Sequence, residues 1–219
     1  MRMLSLLFAL TLSGIAASGE PRHDATSHHD FGDVGHWVGI FDDPARDVWQ
    51  KPAEIVAHLD LAPGMTIADL GAGTGYMSRH LAQAVGQKGH VLAVDTERTL
   101  VDHLRERARK ERTPNVTPIL ATRSEPHLPR HGVDVVLILD TYHHIDDRVH
   151  YAERLAGALR PGGRVAVVDW KFEETPVGPP LAHRLARETV VAEMAAAGYA
   201  LTDAPAILPY QYFLIFTRR

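Results

Sequence analysis

The sequence predicts a single doubly wound α/β domain built on a mostly parallel sheet. Three observations carry that prediction. Short apolar runs alternate with helix-like segments across residues 65–170, a glycine-rich turn (DLGAGTGY, 69–76) follows the first run, and the chain ends in two strand-like pieces set almost end to end. Apolar runs joined by helices mean parallel strands buried on both faces and linked by right-handed crossovers. At 219 residues and 45% hydrophobic content, the chain is long enough for one well-buried domain and short for two.

The first residues, MRMLSLLFALTLSGIAASGE, have a basic start at Arg2, an apolar stretch from Leu4 to Ala17 and small residues from Ala16 to Gly19. This is a secretory signal pattern over residues 1–19, so a periplasmic or secreted protein is expected. The apolar part is shorter than the roughly 18 to 20 residues of a bilayer span, which disfavours stable membrane insertion after signal removal and leaves a membrane tether as the alternative. Residues 20–36 are polar, rich in His and Gly and without a strand or helix period, and read as an arm.

The domain proper is expected over residues 37–219. Its amino-terminal part, 37–60, reads as a lid or entry helix, with Pro52 suited to a first helical turn and Ile55, Val56 and Leu59 as an apolar stripe before Pro63-Gly64. Strands are expected at 65–70, 90–95, 115–121, 133–139 and 162–170, with helices at 74–85, 97–111 and 147–160 between them. After a helix at 185–199 come YALTDAPAI and YQYFLIFTRR, separated only by Leu208-Pro209. Two strands joined so briefly must be antiparallel, which makes a seven-stranded sheet closing with a reversed hairpin.

Composition narrows the function. The net charge is −4, and basic residues such as Arg105, Arg107, Arg109 and Lys110 are scattered along helix-like segments, so no nucleic-acid partner is expected. The chain has no cysteine, which excludes disulfides, thiolate catalysis, cysteine-dependent arsenite methylation and Cys-ligated zinc or iron–sulfur sites. Exported proteins need not contain disulfides, so this does not oppose export.

Gly71 and Gly73 permit a tight turn and close approach of backbone to a ligand at a helix start. Where a dinucleotide fingerprint has its third glycine this chain has Tyr76, which disfavours pyrophosphate. Asp69, at the end of the first strand, repels phosphate but can accept from an ammonium group. Asp95, 24 positions after Gly71, ends the second strand, where a carboxylate can take both hydroxyls of a ribose. An amine, a carboxylate and a ribose at these places describe S-adenosylmethionine.

DLGAGTGY, VLAVD, DVVLIL and LRPGGRVAVVD together resemble class I S-adenosylmethionine-dependent methyltransferases, a Rossmann-like fold, over about residues 50–219. More narrowly, FDDPARDVWQKP, DTYHH, GPPLAHR and LPYQYFLIF resemble a bacterial, often exported, group related to the quinone-biosynthesis type. The resemblance implies that Asp69, Gly71, Ala72, Gly73 and Gly75 surround the methionine part of the cofactor, that Asp95 holds the ribose and that Thr96 lines the adenine pocket. It implies an acid after the third strand for the adenine amine, where this chain offers Ser124 or Glu125. Asp140 closes the fourth strand at the edge of the same pocket.

TYHH (141–144) then sits where an acceptor must arrive. His143 or His144 could take a proton from a phenol, amine or similar small-molecule acceptor, and Tyr142 could shape or hydrogen-bond the pocket. The histidines could equally pack beneath the cofactor, with Asp146 as N-cap of the next helix. A metal site would need His28, His29 or His36 to join them, and none is assigned. Trp37, Phe41 and Trp49 either close over the acceptor or cap the sheet, and Lys171 and Arg184 either meet an acidic acceptor or are solvated. The expected function is methyl transfer to an unidentified small molecule. The alternative is a non-catalytic adenosyl-ligand or metal-binding module on the same fold; a nicotinamide oxidoreductase is opposed by Tyr76 and the terminal hairpin.

Overall fold

In the computed structural model, which describes residues 25–26 and 31–219, an amphipathic stripe begins at Val34. Val34, Trp37, Val38 and Phe41 recur at helical spacing, and the Asp33 side chain accepts from the His36 amide at 3.1 Å, so α1 runs Val34–Phe41. The segment read from sequence as a polar arm through residue 36 is therefore helical from Val34, because the 3.6-residue period begins there. The signal pattern at 1–19 and the arm's His28 and His29 lie outside the described residues. Two short helices follow, α2 (Arg46–Gln50) and α3 (Pro52–His58), the latter with Pro52 in its first turn as expected.

The alternating region forms as predicted: β1 Thr66–Leu70, α4 Tyr76–Val85, β2 His90–Asp95, α5 Arg98–Glu111, β3 Val116–Leu120, β4 Val133–Leu139, α6 Arg148–Ala158 and β5 Leu159–Trp170. Then come α7 Arg187–Ala196, β6 Tyr199–Asp203 and β7 Gln211–Arg218. The sheet order is β3-β2-β1-β4-β5-β7-β6. Its first five strands run parallel, while β7 is antiparallel to both β5 and β6. Every residue of β1 is buried, as a central strand covered on both faces requires. One face packs Tyr151, Leu155, Val190, Met194 and Phe216; the other packs Ile55, Leu59, Leu81, Val85 and Phe213.

Two local expectations change. The terminal strands are joined by residues 204–210 rather than by Leu208-Pro209 alone, since β6 stops at Asp203, just before Pro205, which has no amide to continue the ladder. Asp146 does not cap α6. Asp147 occupies the cap position with φ +47° and no capping bond from its side chain, while an Asp146 oxygen accepts from the Ala25 amide at 3.2 Å.

The order of strands fixes where a ligand can sit. Leaving β1 the chain turns toward β2, and leaving β4 it turns toward β5, so the two loops part at the carboxyl ends of adjacent strands. The crevice between them is the topological switch point of the sheet.

Candidate active site

A cavity of about 640 Å³ opens at that switch point, lined by the turn after β1, the ends of β2 and β4, the loop after β3, and α1 and α2. Its volume is within the range of small-molecule sites, roughly 300–1,000 Å³.

On one side stand the acids predicted from sequence. Asp69 lines the cavity and is 2% exposed, with Ser78 Oγ donating to its Oδ2 at 2.6 Å. Burial raises its pKa from 3.8 to about 6 against the lowering effect of Ser78. Asp95 accepts from the Gly73 amide at 2.8 Å and the Glu97 amide at 3.0 Å, one on each oxygen, and burial raises its pKa despite both. Each oxygen keeps a lone pair for a further donor. Gly71, Ala72, Gly73, Thr96 and Asp140 also line the cavity.

Other members of the predicted set lie elsewhere. Gly75 is outside the lining; its φ of +91° and the Leu104 side chain, 2.8 Å from where a Cβ would be, make it a packing glycine. Ser124 and Glu125 are also outside. Ala121, Thr122 and Arg123 line the wall instead, while the Ser124 carbonyl accepts from Arg154 and the Glu125 amide bonds to Thr122 Oγ1. The loop after β3 turns one step earlier than the spacing suggested.

Asp140, in the left-handed region at φ +53°, is gripped from two directions. Arg46 on α2 reaches its Oδ2 at 2.9 Å, and Gln211 of β7 donates to Oδ1. Burial, opposed by Arg46, raises the Asp140 pKa to about 6. The guanidinium also lies 4.3 Å from the Tyr76 ring centroid, while Tyr76 donates to Asp47 at 2.5 Å. Tyr76, standing where a dinucleotide site would need glycine, is thus the platform for Arg46. Gln50 completes the network, bonding Gln211 at 2.6 Å and accepting from Arg46.

On the other side the TYHH segment forms a 3-10 turn, Tyr142–His144. Its two histidines line the cavity, but Tyr142 does not. The tyrosine packs in the core against Tyr151 and Tyr212, with the Arg148 guanidinium 6.0 Å from its ring, so a direct part in chemistry is corrected to a packing role. His143 Nδ1 lies 2.8 and 2.9 Å from the two oxygens of Asp169, which is 0% exposed near the end of β5. The same carboxylate accepts the amides of His143 and Trp170 at 3.2 and 2.8 Å. His143 Nε2 has no hydrogen-bond partner among the described residues. His144 stacks edge-on against Phe31 at 5.8 Å, and its ring is 4.1 Å from that of His143.

Phe31, Trp37 and Phe41 form a contiguous aromatic group over this side, and Trp49 meets Trp170 at 5.2 Å. Thr26 sits beside the same turn, its amide and hydroxyl both donating to the His143 carbonyl at 2.9 and 3.1 Å. Lys171 and Arg184 do not reach the cavity. Lys171 donates to the Pro209 carbonyl and Arg184 to the carbonyls of Pro179, Lys171 and Glu173, so both fasten loops. Among the described residues no three His, Asp or Glu side chains converge as a metal site, and His36 instead stacks on Trp37.

Residues 67–163 match the family model described as a methyltransferase domain. A solved S-adenosylmethionine-dependent methyltransferase from Aquifex aeolicus superposes with a TM-score of 0.80 at 26% identity, over 86% of this chain and 98% of that one. Residues 67–163 thus match a methyltransferase domain, and the fold is that of the Aquifex protein. Among curated proteins, an arsenite methyltransferase of Halobacterium salinarum is 33% identical over 52% of this chain and 29% of its own length. A ubiquinone/menaquinone biosynthesis C-methyltransferase of Vibrio vulnificus is 29% identical over 54% of this chain and 45% of its own length. The chain thus spans less than half the length of these two relatives.

The cavity-lining residues fit S-adenosylmethionine. Two buried carboxylates, Asp69 and Asp95, line the cavity beside a turn whose Gly71 and Gly73 have φ of +76° and +56°, so that Asp69 would hold the positively charged amino acid end and Asp95 the ribose hydroxyls. Bound there, the cofactor supplies an electrophilic methyl group. Residues that sequence reasoning did not single out are Arg46, Gln50, Thr122, Asp169 and Gln211. Arg46, Gln50 and Gln211 lie inside the motifs FDDPARDVWQKP and LPYQYFLIF without a role having been read for them, and Asp169 is an acid inside the otherwise apolar run VAVVDW.

Proposed function

We propose that the protein transfers a methyl group from S-adenosylmethionine to a small acceptor with an apolar body, which enters on the histidine side of the cavity. The observation that carries this reading is the continuity of one cavity from Asp69 and Asp95 to His143 and His144. A binding module for an adenosyl ligand alone has no use for the histidine side of the cavity. Transfer from a sulfonium needs little activation. The protein's task is to hold a nucleophile in line at about 3 Å and keep water out. The segment 37–60 acts as a lid in this reading, with Phe41 over Gly73 and Arg46 fastened to Asp140.

Calorimetry with S-adenosylmethionine, followed by S-adenosylhomocysteine release in a small-molecule extract, tests it. Micromolar binding and extract-dependent release are expected; binding with no release from any extract would return the chain to a ligand-binding role. We also propose export of the mature chain, which the composition of residues 1–19 supports. Amino-terminal sequencing after expression in a bacterial host is expected to find a start near residue 20, and an intact Met1 in the cytoplasm overturns it.

A further inference from the structure

From the His143–Asp169 arrangement we infer that the acceptor is a phenol, methylated on oxygen, with His143 as its general base. This rests on the methyl-transfer reading above and goes further by naming the acceptor's reacting group. Nδ1 of His143 is committed to Asp169 at 2.8 Å, which fixes the tautomer with its proton on Nδ1 and leaves Nε2 as an acceptor. That nitrogen has no protein partner among the described residues, and the ring forms part of the cavity wall. A histidine whose role is packing does not ordinarily hold a fully buried carboxylate on one nitrogen while leaving the other unsatisfied against a ligand space.

Asp169 is not a general structural acid either. It takes the His143 and Trp170 amides as well as the ring, so its position relative to β5 and to the TYHH turn is set from three directions. A carboxylate held this way orients an imidazole and stabilises the imidazolium that forms when the ring accepts a proton. Asp169 is thus a positioning residue and His143 the catalytic one. Other charged groups near the ring are Asp140 at the end of β4 and Arg148 on α6, of opposite sign, with His144 in ring contact.

The acceptor class follows from matching the base to the proton. A carboxylic acid is already ionised near neutrality and needs no base, and an aliphatic hydroxyl is far too weak an acid for an imidazole to deprotonate. A phenol, at about 10, is within a few units of an imidazole at about 6.5. The walls agree. Phe31, Trp37, Phe41, Trp49 and Trp170 enclose the histidine side with aromatic surface suited to a planar ring.

In the step itself the phenol oxygen forms a bond to the methyl carbon while the carbon–sulfur electron pair returns to sulfur, leaving a thioether. The hydroxyl proton passes to His143 Nε2, and the resulting imidazolium rests against Asp169 until the proton is lost to solvent. The products are an aryl methyl ether, S-adenosylhomocysteine and one proton.

The test uses the full chain, S-adenosylmethionine and one- and two-ring phenols of graded acidity, from a nitrophenol to an alkoxyphenol, beside aryl amines and a 1,3-diketone. Ether formation with phenols is expected. His143→Gln is expected to lower kcat at least ~100-fold on weakly acidic phenols and far less on the nitrophenol, which ionises unaided, with S-adenosylmethionine affinity within about two-fold. Asp169→Asn is expected to move the acid limb of the kcat profile to lower pH, because the carboxylate raises the pKa of His143. If His143→Gln does not fold, the same acidity series in Asp169→Asn decides. Equal losses across the phenols, methylation of amine or carbon alone, or no methylated phenol with cofactor bound overturns the proposal. Failure to bind S-adenosylmethionine overturns the reading beneath it.

Discussion

Arg46 and Asp140, 94 residues apart, meet at 2.9 Å between the second helix and the end of the fourth strand, and this contact joins the amino-terminal segment to the floor of the cavity. The two side chains are only 10% and 20% exposed, so their attraction is poorly screened and each depends on the other for neutralisation. Arg46→Met leaves Asp140 with Gln211 alone and should cost about 1–3 kcal/mol in urea unfolding, with weaker S-adenosylmethionine binding as α2 loosens. Adding Asp140→Asn should recover part of the loss. Additive costs in the double variant would mean that the pair carries no coupling of its own.

Asp69 makes a pH-dependent trade. Its native pKa of about 6 exceeds the unfolded value of 3.8, so between those values the native state binds more protons than the unfolded chain. Its contribution is fully present below about pH 4, declines as pH rises to about 6 and is constant beyond. Asp69→Asn should therefore raise the melting temperature of the free protein at pH 8 by the equivalent of about 1–3 kcal/mol, while Ser78 keeps its bond to the amide oxygen.

The same group gives the opposite sign in binding. A positively charged ligand favours the ionised carboxylate, so S-adenosylmethionine affinity should fall on acidification through about pH 6, by up to ten-fold per unit. Calorimetry at pH 7.5, 6 and 5 measures this. Wild-type affinity independent of pH over that range would mean that Asp69 does not face the charge.

Much of this site was legible because cofactor recognition uses backbone turns and strand ends, which sequence spacing encodes. Asp69, Gly71, Gly73 and Asp95 sit at boundaries between apolar runs and helices, and the sheet brings them to one crevice. Contacts between distant segments left no such trace. Arg46 reads as a surface residue until α2 folds over Asp140, and Gln211 belongs to a strand that pairs only after β6 has turned back beside it. Ser124 and Glu125 were misplaced because an irregular loop has no period from which to read direction. Tyr142 was misassigned because a 3-10 turn sends adjacent side chains to different surroundings, placing His143 on the cavity and Tyr142 in the core.

Arg148 and Glu193, which do not themselves line the cavity, form a second buried pair, with Nε and Nη2 each donating at 2.8 Å to separate carboxylate oxygens. The two residues are 4% and 2% exposed and fasten α6 to α7. Glu193→Ala should cost about 3–5 kcal/mol, because it leaves a buried guanidinium without its carboxylate. A Glu193→Met, Arg148→Met double variant should recover much of that stability, since an apolar pair carries no desolvation penalty. Chemical denaturation of the three variants measures both effects, and a cost under 1 kcal/mol for Glu193→Ala would show that water reaches the pair.

Gly71 has a second reason to be glycine besides ligand approach. A Cβ there would fall 2.1 Å from Thr141 Oγ1 and 2.5 Å from its Cγ2, at a backbone φ of +76°. Thr141 has little freedom to withdraw, since its hydroxyl donates to the Leu139 carbonyl at 2.9 Å and its neighbours form the histidine turn. Gly71→Ala must therefore displace either the turn after β1 or the segment that carries His143. A loss of about 3 kcal/mol or more is expected, combining overpacking with a strained backbone. Gly71→Ala with Thr141→Gly removes the clash but keeps the positive φ, so it should regain the overpacking part and leave about 1 kcal/mol. Thermal melts of the single and double variants, with S-adenosylmethionine binding at 25 °C, separate the two causes. If the double variant recovers nothing, the backbone conformation alone requires glycine, and the contact with Thr141 is incidental.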